Sequence, residues 1–151
     1  MATRLRRRLL FGLALAAGHA AGSAVPTVAL SALDNDHPQR CAPIPWSALV
    51  ADAEVLKVTV VEVDNPHLRP ITIALALATA SRQYEVARFT LYPPDQPGTF
   101  RFRLDETARK LLASPPPPRF CALLAEQPEG KDDKVAARRV RLAEPRFERA
   151  D

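Results

Sequence analysis

The chain is 151 residues long, enough for a single domain with a modest core, and carries 21 basic against 17 acidic side chains. Arg4, Arg6, Arg7 and Arg8 supply the whole of that excess, so the sequence beyond residue 24 is formally neutral and, despite a pI near 9.5, lacks the basic footprint of a nucleic-acid-binding protein. Its 15 prolines against 5 glycines disfavour long helices and favour short strands joined by stiff loops.

Residues 1–24 read as a secretory signal peptide: the arginine cluster, an apolar run over 9–17, then the small residues Gly22, Ser23 and Ala24, with cleavage expected after Ala24. The apolar run is about half of the roughly 20 residues that span a bilayer, and no basic stop-transfer cluster follows it, so no stable membrane anchor is expected after cleavage. Arg6, Arg7, Arg8, Leu9 and Leu10 suit an ordinary Sec leader and also a loose twin-arginine signal. Either route predicts a periplasmic or secreted product.

Residues 25–53 form a Pro-rich lead-in segment, expected to be extended. An apolar stretch over 25–33 suits a first edge strand, and Asp34, Asn35, Asp36, His37 and Pro38 carry turn chemistry. Pro43 and Pro45 then hold the chain extended up to Trp46, whose ring is available to pack on the domain.

The body of the protein is expected over 54–144. Leu56, Val58 and Val60 alternate with Lys57 and Thr59 until the phase slips at Val61 and Val63, which predicts a strand with a bulge. After the turn at Asn65, Pro66 and His67, the bulky Ile71, Ile73, Leu75 and Leu77 alternate with Thr72 and the alanines 74, 76 and 78, which suits a central strand covered on both faces. A further strand over 84–92 ends in a proline-rich turn at 93–98. Phe100, Phe102 and Leu104 then point one way while Thr99, Arg101, Arg103 and Asp105 point the other. Asp105 stands where a helix N-cap would, ahead of 106–113, and the prolines 115–118 stop that helix. Strands over 120–126 and 136–144, separated by a charged loop at 127–134, complete an antiparallel β-sandwich of six or seven strands with one short helix, mainly β in class. Residues 145–151 are expected as a flexible C-terminal tail.

Cys41 and Cys121 are the only cysteines. In an oxidising compartment a disulfide between them is expected; the alternative is that Cys121, inside an apolar run, packs as a buried free thiol.

Catalytic and metal-binding constellations are scarce. Beyond the leader the histidines are His37 and His67, each beside a proline in a turn, and no His or Cys spacing matches a zinc or copper site. Ser47, Ser81 and Ser114 lack a nucleophile motif, and no Gly-rich loop is present to cradle a phosphate. Asp132 and Asp133 read as part of a solvated loop, and Arg138, Arg139 and Arg141 as the wet face of an edge strand. The expectation is a non-enzymatic protein with no metal and no cofactor.

The series Glu-Val-Leu-Lys-Val-Thr-Val-Val-Glu-Val from residue 54, the strand at 71–79, Ala-Arg-Phe-Thr-Leu-Tyr at 87–92, Gly-Thr-Phe-Arg-Phe-Arg-Leu at 98–104 running into 105–112, and the closing segments 120–124 and 140–142 resembles the C-terminal β-sandwich that follows the copper domain in the tyrosinase and polyphenol oxidase family. The resemblance rests on order, spacing and alternation over about residues 54–143. The imidazole-rich copper domain of that family has no counterpart in this chain. What the resemblance implies is the role of the appended domain, which covers and shields the copper-site entrance; a separately encoded, exported version would act as an accessory protein for a secreted tyrosinase-like copper oxidase.

In that role an exposed loop aromatic would fill the partner's pocket, and Trp46, Tyr84 and Tyr92 are the rings with a polar tip that could do so. The competing reading is a free-standing cell-envelope or carbohydrate-binding β-sandwich module, which would need several exposed aromatics on one sheet face.

Overall fold

The structure, a computed structural model, describes residues 30, 32–45, 47–125 and 138–150. The expected signal peptide, Trp46 and the charged loop at 127–134 lie outside the described residues.

In chain order the strands are β1 (Leu33–Asp34), β2 (Gln39–Pro43), β3 (Val55–Asp64), β4 (Thr72–Ala78), β5 (Gln83–Thr90), β6 (Gly98–Arg103), β7 (Arg119–Leu124), β8 (Arg139–Leu142) and β9 (Arg146–Glu148), with helices α1 (Ala48–Ala51) between β2 and β3 and α2 (Glu106–Ala113) between β6 and β7. They build two antiparallel sheets, one ordered β1-β8-β3-β6 with β9 also on β3, the other ordered β2-β7-β4-β5. This is the β-sandwich that the alternation predicts.

Strand β3 organises the first sheet. Leu56, Val58 and Val60 point into the core and are buried, while the register against β8 shifts between Val60 and Glu62. Val61 is the extra residue: the bulge turns it outward and returns Val63 to the core side, as the phase slip in the sequence predicts. Strand β4 does the same for the second sheet. Ile73, Leu75 and Leu77 are fully buried between the sheets, and burying each stabilises the fold by about 1.5–3 kcal/mol. Ala74 and Ala76 are buried on the opposite face, where Ala76 stands opposite Cys121.

Inter-sheet contacts close both sides of the sandwich. The Phe89 ring of β5 lies 4.2 Å from that of Phe100 and 5.5 Å from that of Phe102, both on β6, and Phe120 of β7 meets Phe147 of β9 edge-on at 6.4 Å.

Cys41 and Cys121 form a disulfide between directly opposed residues of β2 and β7, with Cα atoms 4.1 Å apart. The Leu124 N–H donates to the Pro38 carbonyl, which by alternation makes Cys41–Cys121 and Pro43–Arg119 non-hydrogen-bonded pairs. That spacing suits a bridge, and it aims the nitrogen of Pro43, which carries no hydrogen, away from β7 on an edge strand.

Two segments differ from expectation. The described part of the lead-in segment enters both sheets as β1 and β2, and it ends in the single turn of α1. Past Glu144, where the sequence predicts a flexible tail, Arg146–Glu148 forms β9 and pairs with Val55–Lys57, because Phe147 buries its ring against the core. Helix α2 follows expectation. The Asp105 carboxylate accepts from the Ala108 N–H at 2.8 Å, Ala108 and Leu112 bury the inner face, and Ser114 with the prolines after it ends the helix.

Candidate partner-docking site

The residues that display an aromatic ring begin with a bulge. Strand β5 pairs with β4 as Leu77–Tyr84 and Ala76–Glu85, then Leu75–Ala87, Ala74–Arg88 and Ile73–Phe89, leaving Val86 as the inserted residue. In an unbroken strand residues 84 and 92 would share a face, since side chains repeat every second residue. The bulge inverts that parity. Tyr84 faces the core, Phe89 and Leu91 face it as well, and Tyr92 is turned outward with 95% of its surface exposed. Glu85 and Arg88 straddle the bulge on the outer face in a two-point ion pair of 2.9 and 2.7 Å.

Leu91 anchors the start of the Tyr92 loop. Its side chain is buried and its N–H donates to the Ile71 carbonyl at 2.9 Å. Beyond it the loop is pinned by Asn65, the one polar residue buried among the described residues at 4% exposure. The Asn65 amide nitrogen donates to the carbonyl of Arg69 at 2.7 Å and to that of Pro94 at 3.0 Å, while its Oδ1 accepts from the Arg69 N–H at 3.3 Å. Both amide hydrogens and one acceptor position are thereby used, which is what makes burying the group tolerable.

One nitrogen thus ties the 65–69 turn to the 92–97 loop, and the turn presents Leu68. The Leu68 N–H closes on the Asn65 carbonyl at 3.0 Å, its φ of 50° is left-handed, and 58% of its surface is exposed. Pro93, Pro94 and Pro97 restrict the second loop further. Tyr92 and Leu68 therefore sit as exposed apolar groups on two loops that Asn65 cross-links to each other.

The other sequence candidates stand elsewhere. Tyr84, near the opposite end of β5, is half-buried against the core, and its hydroxyl donates to the Asp105 carboxylate. That bond holds the Tyr84 phenol above its ordinary range; the Asp105 carboxyl is held below the usual carboxylate range by the Ala108 N–H and then by the Tyr84 hydroxyl. Tyr84 thus clips β5 to the N-terminus of α2 and is not joined with Tyr92 in one site. Trp46 lies outside the described residues.

His67 is exposed on the turn beside Leu68, and among the described residues no three His, Cys, Asp or Glu side chains come together as a metal site. Nothing local in the sequence marks Asn65 as a site residue. Asn-Pro signalled a turn, but its second partner, Pro94, is 29 residues away. No helix among the described residues is long and apolar enough to cross a membrane. The chain matches no protein-family model, no curated protein and no solved structure.

Proposed function

We propose that this chain is an exported, non-catalytic accessory protein that docks on a secreted tyrosinase-like copper oxidase and shields its copper-site entrance with Tyr92. The observation that carries the reading is the display of Tyr92, almost wholly exposed on a loop held by buried Asn65. An aromatic ring presented on a pre-ordered loop binds with little loss of conformational freedom, and such rings dominate interface energetics. The Cys41–Cys121 disulfide is consistent with an oxidising compartment and supports the periplasmic or secreted location that the N-terminal residues predict. In this reading copper belongs to the partner, since His37 and His67 cannot supply the imidazole-rich set of a catalytic copper pair.

A carbohydrate-binding module is less well supported, because a sugar-binding face uses several exposed rings and Tyr92 is the one exposed aromatic among the described residues.

The test is co-expression with a secreted tyrosinase-like oxidase, followed by pull-down and assay of phenol oxidation. Tyr92→Ala is expected to weaken the complex by at least about tenfold, as loss of a central aromatic anchor does. The same change should alter folding stability by no more than about 0.5 kcal/mol, since the ring is on the surface. An oxidase that folds, loads copper and reaches full activity without this protein, with no complex recovered, removes the proposal. Mass spectrometry of the extracytoplasmic fraction should find the first 20 to 26 residues removed, in keeping with about 15–30 residues for a signal peptide.

A further inference from the structure

A cleft of about 880 Å³ opens beside β9, within the size range of small-molecule sites. Its apolar walls are Pro43 at the end of β2 with Ile44 and Pro45 after it, Phe120 from β7, and Pro145 and Phe147 around the start of β9. It exists because β8 and β9 share one side of β3 but are interrupted: Ala143 still donates to the Thr59 carbonyl at 2.8 Å, after which Glu144 and Pro145 carry the chain on to Arg146. The interruption leaves an opening between the apolar walls and the outer face of the first sheet, with the buried Phe120 and Phe147 at its base.

That outer face brings an unusual row of charge to the cleft. Lys57 of β3 lies directly opposite Arg101 of β6 on one side and Arg146 of β9 on the other. Like charges facing one another across strands destabilise a sheet. Arg101 is offset by Glu148 at 3.1 Å, but Lys57 and Arg146, both lining the cleft, have no ion pair or side-chain hydrogen bond among the described residues. Glu144 is the one acidic side chain on the rim without such a partner. Two uncompensated cations therefore face one uncompensated acid, next to apolar walls and to the Thr59 and Thr99 hydroxyls, which bond each other at 3.0 Å.

We propose that this cleft binds a small amphipathic monoanion, a carboxylate carried on an apolar chain or ring. The carboxylate lies between Lys57 and Arg146, relieving their repulsion with charge-assisted hydrogen bonds, and the apolar body lies along Pro43, Pro45 and Pro145, which line the cleft with exposed or part-exposed surface. No residue lining the cleft belongs to the 65–69 turn or to the 92–97 loop, so this site stands apart from the Tyr92 docking surface and one can fail without the other.

Calorimetric titration of the exported protein tests the proposal with two acids and their uncharged counterparts: octanoate against 1-octanol, and 2-naphthoate against 2-naphthol. At least one acid is expected to bind about tenfold or more tighter than its alcohol, and which acid binds tighter tells whether the body is a chain or a ring. Lys57→Gln with Arg146→Gln should weaken that acid by about tenfold or more while leaving alcohol binding unchanged, and Glu144→Gln should tighten the acid. Arg146 is exposed and Lys57 and Glu144 are part-buried, and circular dichroism checks that each variant folds. Absence of acid binding into the millimolar range, equal affinity for acid and alcohol, or indifference of acid binding to the double change at 57 and 146 overturns the proposal.

Discussion

The side-chain amide of Asn65 donates a 3.0 Å hydrogen bond to the carbonyl oxygen of Pro94, joining two loops whose backbones are 29 residues apart. Asn65→Ala removes the buried amide that donates to the Pro94 and Arg69 carbonyls and accepts from the Arg69 N–H, and we expect it to destabilise the fold by about 1–3 kcal/mol. Urea unfolding measures the loss. Proteolysis should become faster within 92–97 before it does in the strands; unchanged stability and unchanged cleavage would show that Asn65 does not hold the loop.

Folding stability should decline at both extremes of pH through the Tyr84–Asp105 bond. The Asp105 carboxyl is depressed in the folded protein, so its contribution is present above the ordinary carboxylate value of about 3.9 and is lost as pH falls through the folded value. The Tyr84 phenol is raised, so its contribution is complete below the ordinary value of about 10 and is lost as pH rises through the folded value. Tyr84→Phe should abolish the alkaline decline and shift the acid decline toward higher pH. Thermal unfolding at a series of pH values reads both limbs, and a variant with an unaltered profile would count against the bond.

Replacing both cysteines by alanine should cost about 4.5 kcal/mol on a chain-entropy account, because the bridge joins residues 80 apart in sequence. Guanidinium unfolding checks the magnitude. Alkylation of the denatured, unreduced protein should label neither Cys41 nor Cys121.

Leu68 sits in left-handed backbone without the freedom of glycine. Leu68→Gly removes the steric penalty at the expense of greater freedom in the unfolded chain, so a net gain of roughly 0.5–1 kcal/mol is expected. Leu68→Val should lower stability, since a branched Cβ tolerates this region less well. Equal melting temperatures for the two variants would show that the turn relaxes around the side chain.

Much of this architecture can be read from residue order. The phase slip at Val61 marks the β3 bulge, the alternation from Thr99 to Leu104 sets the two faces of β6, and Asp105 ahead of 106–113 marks a cap that closes on Ala108. Each of these is a local property, carried by side-chain period or by a hydrogen bond within one turn. Strand β9 is too short for alternation to announce it, and it depends on pairing with β3, some ninety positions earlier.

The candidate sites divide the same way. Sequence alone nominates Trp46, Tyr84 and Tyr92 alike, the last two near the ends of one strand, and identifies Asn65 as no more than a turn residue. The displayed ring is selected by the inserted Val86, which becomes visible only in the register of β5 against β4. The burial of Asn65 and the row of Arg101, Lys57 and Arg146 likewise appear only when strands distant in the chain lie side by side. Alternation along a chain encodes which face a side chain takes, whereas its neighbours across the sheet are set by long-range pairing, and both sites depend on those neighbours.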